Sequence, residues 1–265
     1  MAVKKPVGAV TRGTTNPNRL RRVDRYLCSL PTLKAVANPL VVDLGYGASP
    51  ITAVELLARC QGVNPRTRVI GVEIERERVE RGHAVAHENL SFVLGGFETP
   101  LPADLPTDTK VDLIRAFNVL RQYDESQVAD AWKLMQSRLT DQGFLIEGTC
   151  DEIGRLASWV TLDKTGPLWF TVSLRLSVLE QPSKVAERLP KALIHHNVAG
   201  ERIHDFMTAL DQAWNTNAPL GVFGAVQRWQ AVCQQLQGAG WPIRVEPKRW
   251  KLGELTVDWS AVAPA

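Results

Sequence analysis

The stretch Leu40-Val41-Val42-Asp43-Leu44-Gly45-Tyr46-Gly47-Ala48-Ser49-Pro50 restricts the fold more than any other part of the chain. Leu40, Val41 and Val42 are a short apolar run with two β-branched residues, which predicts a buried strand. Gly45 and Gly47 then allow a sharp turn and leave no side chain between the backbone and whatever lies beyond it. Ser49 reads as an N-cap and Pro50 as the first helical residue, since serine accepts an orphan N–H and proline lacks one. Strand, glycine turn and helix N-terminus together form a cradle of the kind that receives a nucleotide.

The residues around the turn narrow the choice. A dinucleotide fingerprint needs a third glycine for close packing of helix on strand, and Pro50 stands there instead. An acid, Asp43, precedes the turn, and a second apolar run, Val69-Ile70-Gly71-Val72, ends in Glu73. Glu73 lies 26 residues after Gly47, the reach of one helix and two short loops. As an acceptor-only carboxylate it suits a pair of ribose hydroxyls.

The pattern D-L-G-Y-G-A with its spaced second acid resembles the first motifs of class I S-adenosylmethionine-dependent methyltransferases, over roughly residues 38–150. The resemblance implies that Asp43, Gly45, Tyr46 and Gly47 approach the methionine and sugar of that cofactor, with Glu73 on the ribose. It places Gly96 and Phe97, at the end of a third strand, beside the adenine. Asn118 and Val119, after a fourth strand opened by Asp112, fall beside the methyl group. The arm before the first strand would cover the methionine end, with Arg12 and the Asn16-Pro17-Asn18 turn as its contacts. A histidine often follows the fourth motif in that family, whereas Arg121, Gln122 and Tyr123 stand here. The chain also lacks the N-P-P-Y box and the Pro-Cys nucleophile, which argues against base N-methylation and carbon-5 pyrimidine chemistry.

Strands expected near 40–44, 68–73, 90–94, 111–120 and 144–147 alternate with helices near 50–62, 75–87 and 125–139. That alternation predicts an α/β, doubly wound, mostly parallel sheet with helices on both faces. The resemblance sets the expectation at seven strands, with an α-rich C-terminal extension or insertion. The expected layout is a basic arm and helix over 1–37, a cofactor-binding core over 38–180, and an α-rich region over 181–265 that shapes an acceptor site. Leu20, Val23, Leu27 and Leu30 predict a helix over about 17–30. Beyond 150, two strands at 156–162 and 168–176 flank a turn, and helices are expected near 182–194, 200–214 and 222–237. Short strands at 243–245 and 254–259 compete with the hairpin for completing the sheet.

Composition bounds the rest. The chain has 265 residues, 45% apolar and 22% charged, and a formal charge of +3, too small to imply nucleic acid. Seven Lys or Arg against one acid fill the first 25 residues, a solvated face or a site for an anionic substrate such as RNA. The four cysteines form no C-x-x-C pair, no apolar run nears the roughly 18 residues of a membrane span, and no secretory pattern opens the chain, so a cytoplasmic enzyme is expected. His83 and His87 lie one turn apart without a third ligand, so no metal is expected. Asp151, Glu152, His195 and His196 are candidate acceptor-side residues, with the two histidines and the two acids as potential bases. Seven of the eight tryptophans fall after residue 150, mostly for the core. The leading expectation is a methyltransferase using S-adenosylmethionine on a small-molecule or RNA acceptor. An NAD(P)-dependent oxidoreductase is disfavoured by Pro50 and by the lack of a Tyr-x-x-x-Lys pair. A non-catalytic RNA-binding protein with a vestigial cofactor fold lacks the aromatic strand or G-x-x-G signatures of such proteins.

Overall fold

In a computed structural model the protein is described over residues 6–11 and 13–265; Lys4, Lys5 and Arg12 of the basic arm lie outside the described residues. The arm reaches its first helix, α1 (Arg21–Leu27), later than expected, followed by α2 (Pro31–Ala35). Asn18 has φ 60°, a left-handed backbone that a right-handed helix beginning at Pro17 cannot contain. The strand before the glycine turn is β1 (Leu40–Leu44), and α3 (Ile51–Gln61) follows it. Then come β2 (Arg68–Glu73), α4 (Arg76–His83), β3 (Leu90–Leu94) and β4 (Val111–Phe117). Helix α4 stops short of residue 87 because His87 and Leu90 exchange two backbone hydrogen bonds of 2.9 Å, turning the chain into β3.

Helix α5 (Val128–Gln136) is shorter than its apolar pattern, and β5 (Leu139–Cys150) is longer. Leu139 belongs to the strand: Arg138 already gives its carbonyl to the Val111 N–H at the start of β4. Strands β6 (Leu156–Leu162) and β7 (Pro167–Leu174) flank a turn in which Asp163 Oδ1 accepts the Thr165 and Gly166 amides. The helix expected at 182–194 is a 3-10 turn over Pro182–Arg188 and the short α6 (Lys191–Ile194). Pro190 divides them, holding Leu189 extended. Helices α7 (Arg202–Thr216), α8 (Ala225–Gly238) and α9 (Pro247–Trp250) precede the last strand, β8 (Glu254–Asp258).

Among the described residues the sheet has eight strands, not seven, in the order β3-β2-β1-β4-β5-β6-β7-β8. The extra strand arises because the two expected completions do not exclude each other: β6 and β7 both join, and β8 pairs antiparallel with β7 from Trp169–Asp258 to Ser173–Glu254. Residues 243–245 contribute only a single bridge, Ile243 to Val257, since Pro242 has no N–H and Pro247 already opens α9. The chain divides into two compact units. One holds 1–147, 152–154 and 162–166; the other holds 148–151, 155–161 and 167–265. In the first, β1 pairs in parallel with both β2 and β4, so that Val42 lies between Ile70 and Ile114. The chain winds outward through β2 and β3, then returns to the other side of β1. The seam of β1 and β4 is therefore a topological switch point, with its crevice outside the strands' carboxyl ends.

Candidate functional site

The glycine turn opens that crevice. Gly45 and Gly47 have φ of 70° and 85°, which β-carbon-bearing residues rarely adopt. The Gly45 N–H is held by the Val72 carbonyl at 2.7 Å, tying the turn to β2. A β-carbon on Gly45 would come within 2.5 Å of Val119 Cγ2. Val119 reaches that place because Asn118 leaves β4 with φ 61°, a conformation asparagine tolerates better than most residues. Gly45, Val119 and the end of β2 thus meet at the switch point.

Glu73 closes β2 at the same place and is 2% exposed. Its Oε2 accepts the Gly47 N–H and its Oε1 the Ile74 N–H, both at 2.9 Å. Arg78 on α4 stands 3.6 Å away. Two backbone donors fix the carboxylate at the turn while each oxygen keeps a second lone pair.

Two other expected contacts point elsewhere. Asp43 turns away from the crevice: Oδ1 accepts Arg115 Nε at 3.0 Å, and Oδ2 accepts Arg115 Nη2 at 2.6 Å and Thr52 Oγ1 at 2.9 Å. The same guanidinium bonds Asp24 of α1 and, at 3.1 Å, the Thr52 carbonyl in the first turn of α3. Burial alone would lower the Arg115 pKa; the two carboxylates outweigh it and hold the guanidinium charged. Asp43 is a strut between strands and helices, because a buried arginine takes both of its oxygens. Tyr46 also faces inward. Its ring meets Phe92 edge-on at 5.2 Å and its hydroxyl donates to the Arg78 carbonyl at 2.9 Å, so only its backbone belongs to the turn. Burial pushes its hydroxyl pKa up.

Gly96 and Phe97 do lie at the crevice, after β3. Phe97 is buried against Tyr123, ring centroids 5.1 Å apart, and with Gly45, Ile74, Gly96, Val119 and Tyr123 it walls a small cavity of about 20 Å³. Val7, Gly8, Ala9 and Thr11 line this cavity, and Gly13 and Thr15 reach the glycine turn. Phe97 donates its N–H to the Val7 carbonyl at 2.9 Å, and Val7 donates to Glu98 Oε2 at 2.9 Å. The Ala9 N–H bonds the Tyr123 hydroxyl, Arg78 Nη2 bonds the Thr11 carbonyl at 2.9 Å, and Ala48 donates to the Gly13 carbonyl at 2.8 Å. Thr15 Oγ1 reaches the Tyr46 carbonyl at 3.1 Å. Sequence reasoning missed Arg78, which reads as one of several alternating charges on α4, and Tyr123. The glycines of the arm were the available signal, since Gly8 packs over Ile74, Phe97 and Tyr123.

The acceptor-side candidates do not line this cavity. Glu152 lies in the first unit, where its carbonyl takes the Asn16 side-chain amide at 3.0 Å. Asp151 belongs to the second and accepts the Arg155 N–H at 2.7 Å, closing the turn after β5. His195 and His196 follow α6, and His196 Nδ1 lies 3.2 Å from Glu201, whose pKa that hydrogen bond lowers. His83 Nε2 meets the Phe92 carbonyl at 3.1 Å, and among the described residues no three His, Cys, Asp or Glu gather as a metal would need. No helix among the described residues is long and apolar enough to cross a membrane.

No protein-family model and no curated protein matches the chain. Solved structures do. Human N-acetylserotonin methyltransferase in complex with SAM is 22% identical over 49% of this chain and 35% of its own, with a TM-score of 0.34. The magnesium protoporphyrin IX methyltransferase of Synechocystis is 16% identical over 49% and 58%, TM-score 0.36. A cyclopropane synthase of Mycobacterium tuberculosis is 14% identical over 48% and 42%, TM-score 0.35. The chain spans less than two thirds of the length of each of these three. At TM-scores below 0.5 the weight falls on this chain's own strand order, glycine turn and Glu73.

Proposed function

We propose that the protein is an S-adenosylmethionine-dependent methyltransferase whose acceptor is a small molecule or an RNA. The observation that carries the reading is Glu73, a buried carboxylate bonded to the Gly47 amide at a topological switch point. The residues fit such a cofactor. Gly45 and Gly47 allow the backbone to approach a ligand, the remaining lone pairs of Glu73 suit vicinal hydroxyls, and Ile74 and Phe97 offer apolar walls to a purine. When bound, the cofactor supplies a methyl group on a sulfonium that carries its own leaving group, for in-line displacement by an acceptor oxygen, nitrogen or carbon. The chain's own contribution is then alignment and exclusion of water. Glu73 fixes the ribose end, and the turn with Asn118 and Val119 forms the floor beside the reacting end.

Calorimetric titration of S-adenosylhomocysteine, and separately of NAD, into wild type and Glu73→Ala tests the reading. The thioether is expected to bind wild type at micromolar affinity and to weaken at least about tenfold in the variant, the loss of hydrogen bonds to a charged acceptor. Binding of NAD alone would transfer the site to the oxidoreductases, and binding of neither would remove both.

A further inference from the structure

The arm does more than precede the first strand. Its backbone carbonyls occupy N–H groups that the crevice would offer a ligand: Val7 takes that of Phe97, and Gly13 takes that of Ala48 in the glycine turn. A β-carbon on Gly96 would lie 2.0 Å from the Val7 carbonyl, and one on Gly47 would lie 2.6 Å from Thr15 Oγ1 and 2.8 Å from the Gly13 carbonyl. The glycines that leave room for a ligand are filled here by the chain itself. The space left is about 20 Å³, room for about one water molecule and far too little for a purine.

We propose that residues 7–11 are a self-inhibitory strap that takes the place of the cofactor's purine end and must peel away before the cofactor binds. The inference rests on the cofactor reading above. The two ends of the arm are held differently. Beyond Gly13, whose φ of 70° makes it a natural pivot, Thr15 is tied to the Tyr46 carbonyl and the Asn18 amide to both oxygens of Glu55 at 2.8 and 3.0 Å. Before it, Val7 and Val10 remain 44% and 56% exposed, so residues 7–11 bury little apolar surface and stay in place through a few backbone hydrogen bonds. They are few enough for a ligand's own hydrogen bonds to replace. Tyr123 and Glu98 serve as latches, through the Ala9 and Val7 amides.

The test uses the full chain, a variant lacking residues 2–11, and full-length Val7→Pro, which removes the N–H donated to Glu98 and leaves the crevice residues intact. In free wild type the Phe97 and Ala48 amides are expected to exchange slowly. The truncation is expected to speed Phe97 at least about tenfold and leave Ala48 slow, because Gly13 remains. Stopped-flow association of S-adenosylhomocysteine is expected to level off with concentration in wild type, where opening limits the rate, and to rise linearly in the truncation. The dissociation constant should fall about tenfold in the truncation, as the closed fraction is removed. Val7→Pro should move it the same way by roughly threefold, the size of one hydrogen bond. Equal affinity with linear kinetics in all three proteins would overturn the strap and leave the cofactor standing. So would weaker binding by the truncation, which would make the arm a roof over bound ligand. Absence of binding by every form would overturn the cofactor reading and this one together.

Discussion

The β1–β4 seam and the end of β5 both bury carboxyl groups in the first unit, and they meet the cost of burial in opposite ways. At the seam, Asp24 and Asp43 share the fully buried Arg115, and Asp24 also meets Arg59 at 2.5 Å. On β5, Glu147 is equally buried but has no cation against it among the described residues. Burial pushes its pKa up to about 8, and the Trp132 indole offsets only part of that. Burial raises the Asp24 pKa as well, but Arg115 and Arg59 pull against it, so the paired acids have cations to brace them while the solitary Glu147 has none and responds to pH. The glycine turn is built on the first kind, since Asp43 and Thr52 flank it and Arg115 joins them.

The largest effect should come from breaking the shared cation. Arg115→Met leaves two carboxylates in the core with one guanidinium, Arg59, on Asp24 alone. Loss of one partner from a buried pair costs about 3–5 kcal/mol, so the urea midpoint should fall steeply. Arg115→Lys should recover only part of it, because an ammonium cannot fork across Asp43 while reaching Asp24. A midpoint within error of wild type for the methionine variant would show the network to be dispensable.

The same contrast explains what could be read from sequence. Gly45, Gly47 and Glu73 are a local pattern: one strand, one turn, one helix and the next strand fix their relation, so spacing alone brings them together. The direction of Asp43 was hidden, because it depends on Arg115, 72 residues further on and unremarkable among apolar neighbours. The direction of the Tyr46 ring was hidden for a similar reason. Its ring is drawn inward by Phe92, which fits only because β-carbons are missing at Gly71 and Gly82, where they would lie 2.6 and 2.5 Å from the Phe92 ring. The arm has no periodicity to read, and its partners are as distant as Tyr123 from Ala9, 114 positions away. The strand count failed at the far edge of the sheet, where β8 was legible as a short strand but its pairing with β7 was not, so it read as a rival to the hairpin instead of an addition to it.

Glu147 sharpens the comparison through pH. A folded-state pKa raised from 4.5 to about 8 means the folded protein binds a proton that the unfolded chain has released. Its contribution is fully present below about pH 4.5 and is lost as pH rises through 8, at about 1.4 kcal/mol per pH unit between them. Glu147→Gln keeps the shape and cannot ionise, so its stability should be flatter than wild type from pH 5 to 8 and higher at pH 8. Urea midpoints measured across that range decide it; parallel curves for the two proteins would mean that Glu147 is not the titrating group.

The smallest change tests whether the seam works as a set of pairs or as one unit. Thr52→Val conserves shape and deletes only the 2.9 Å bond from Oγ1 to Asp43 Oδ2, an oxygen that Arg115 still holds. If the contacts are independent, the cost should be about 1 kcal/mol, and the same increment should appear when the change is made on Arg115→Met. If Arg115 and Thr52 hold Asp43 jointly, the increment on the methionine background should be larger, because the carboxylate would then have neither donor. The double-mutant cycle separates the two. A coupling near zero would reduce the seam to adjacent ion pairs. A coupling of 1 kcal/mol or more would make Asp43, Arg115 and Thr52 one cooperative brace beneath the glycine turn.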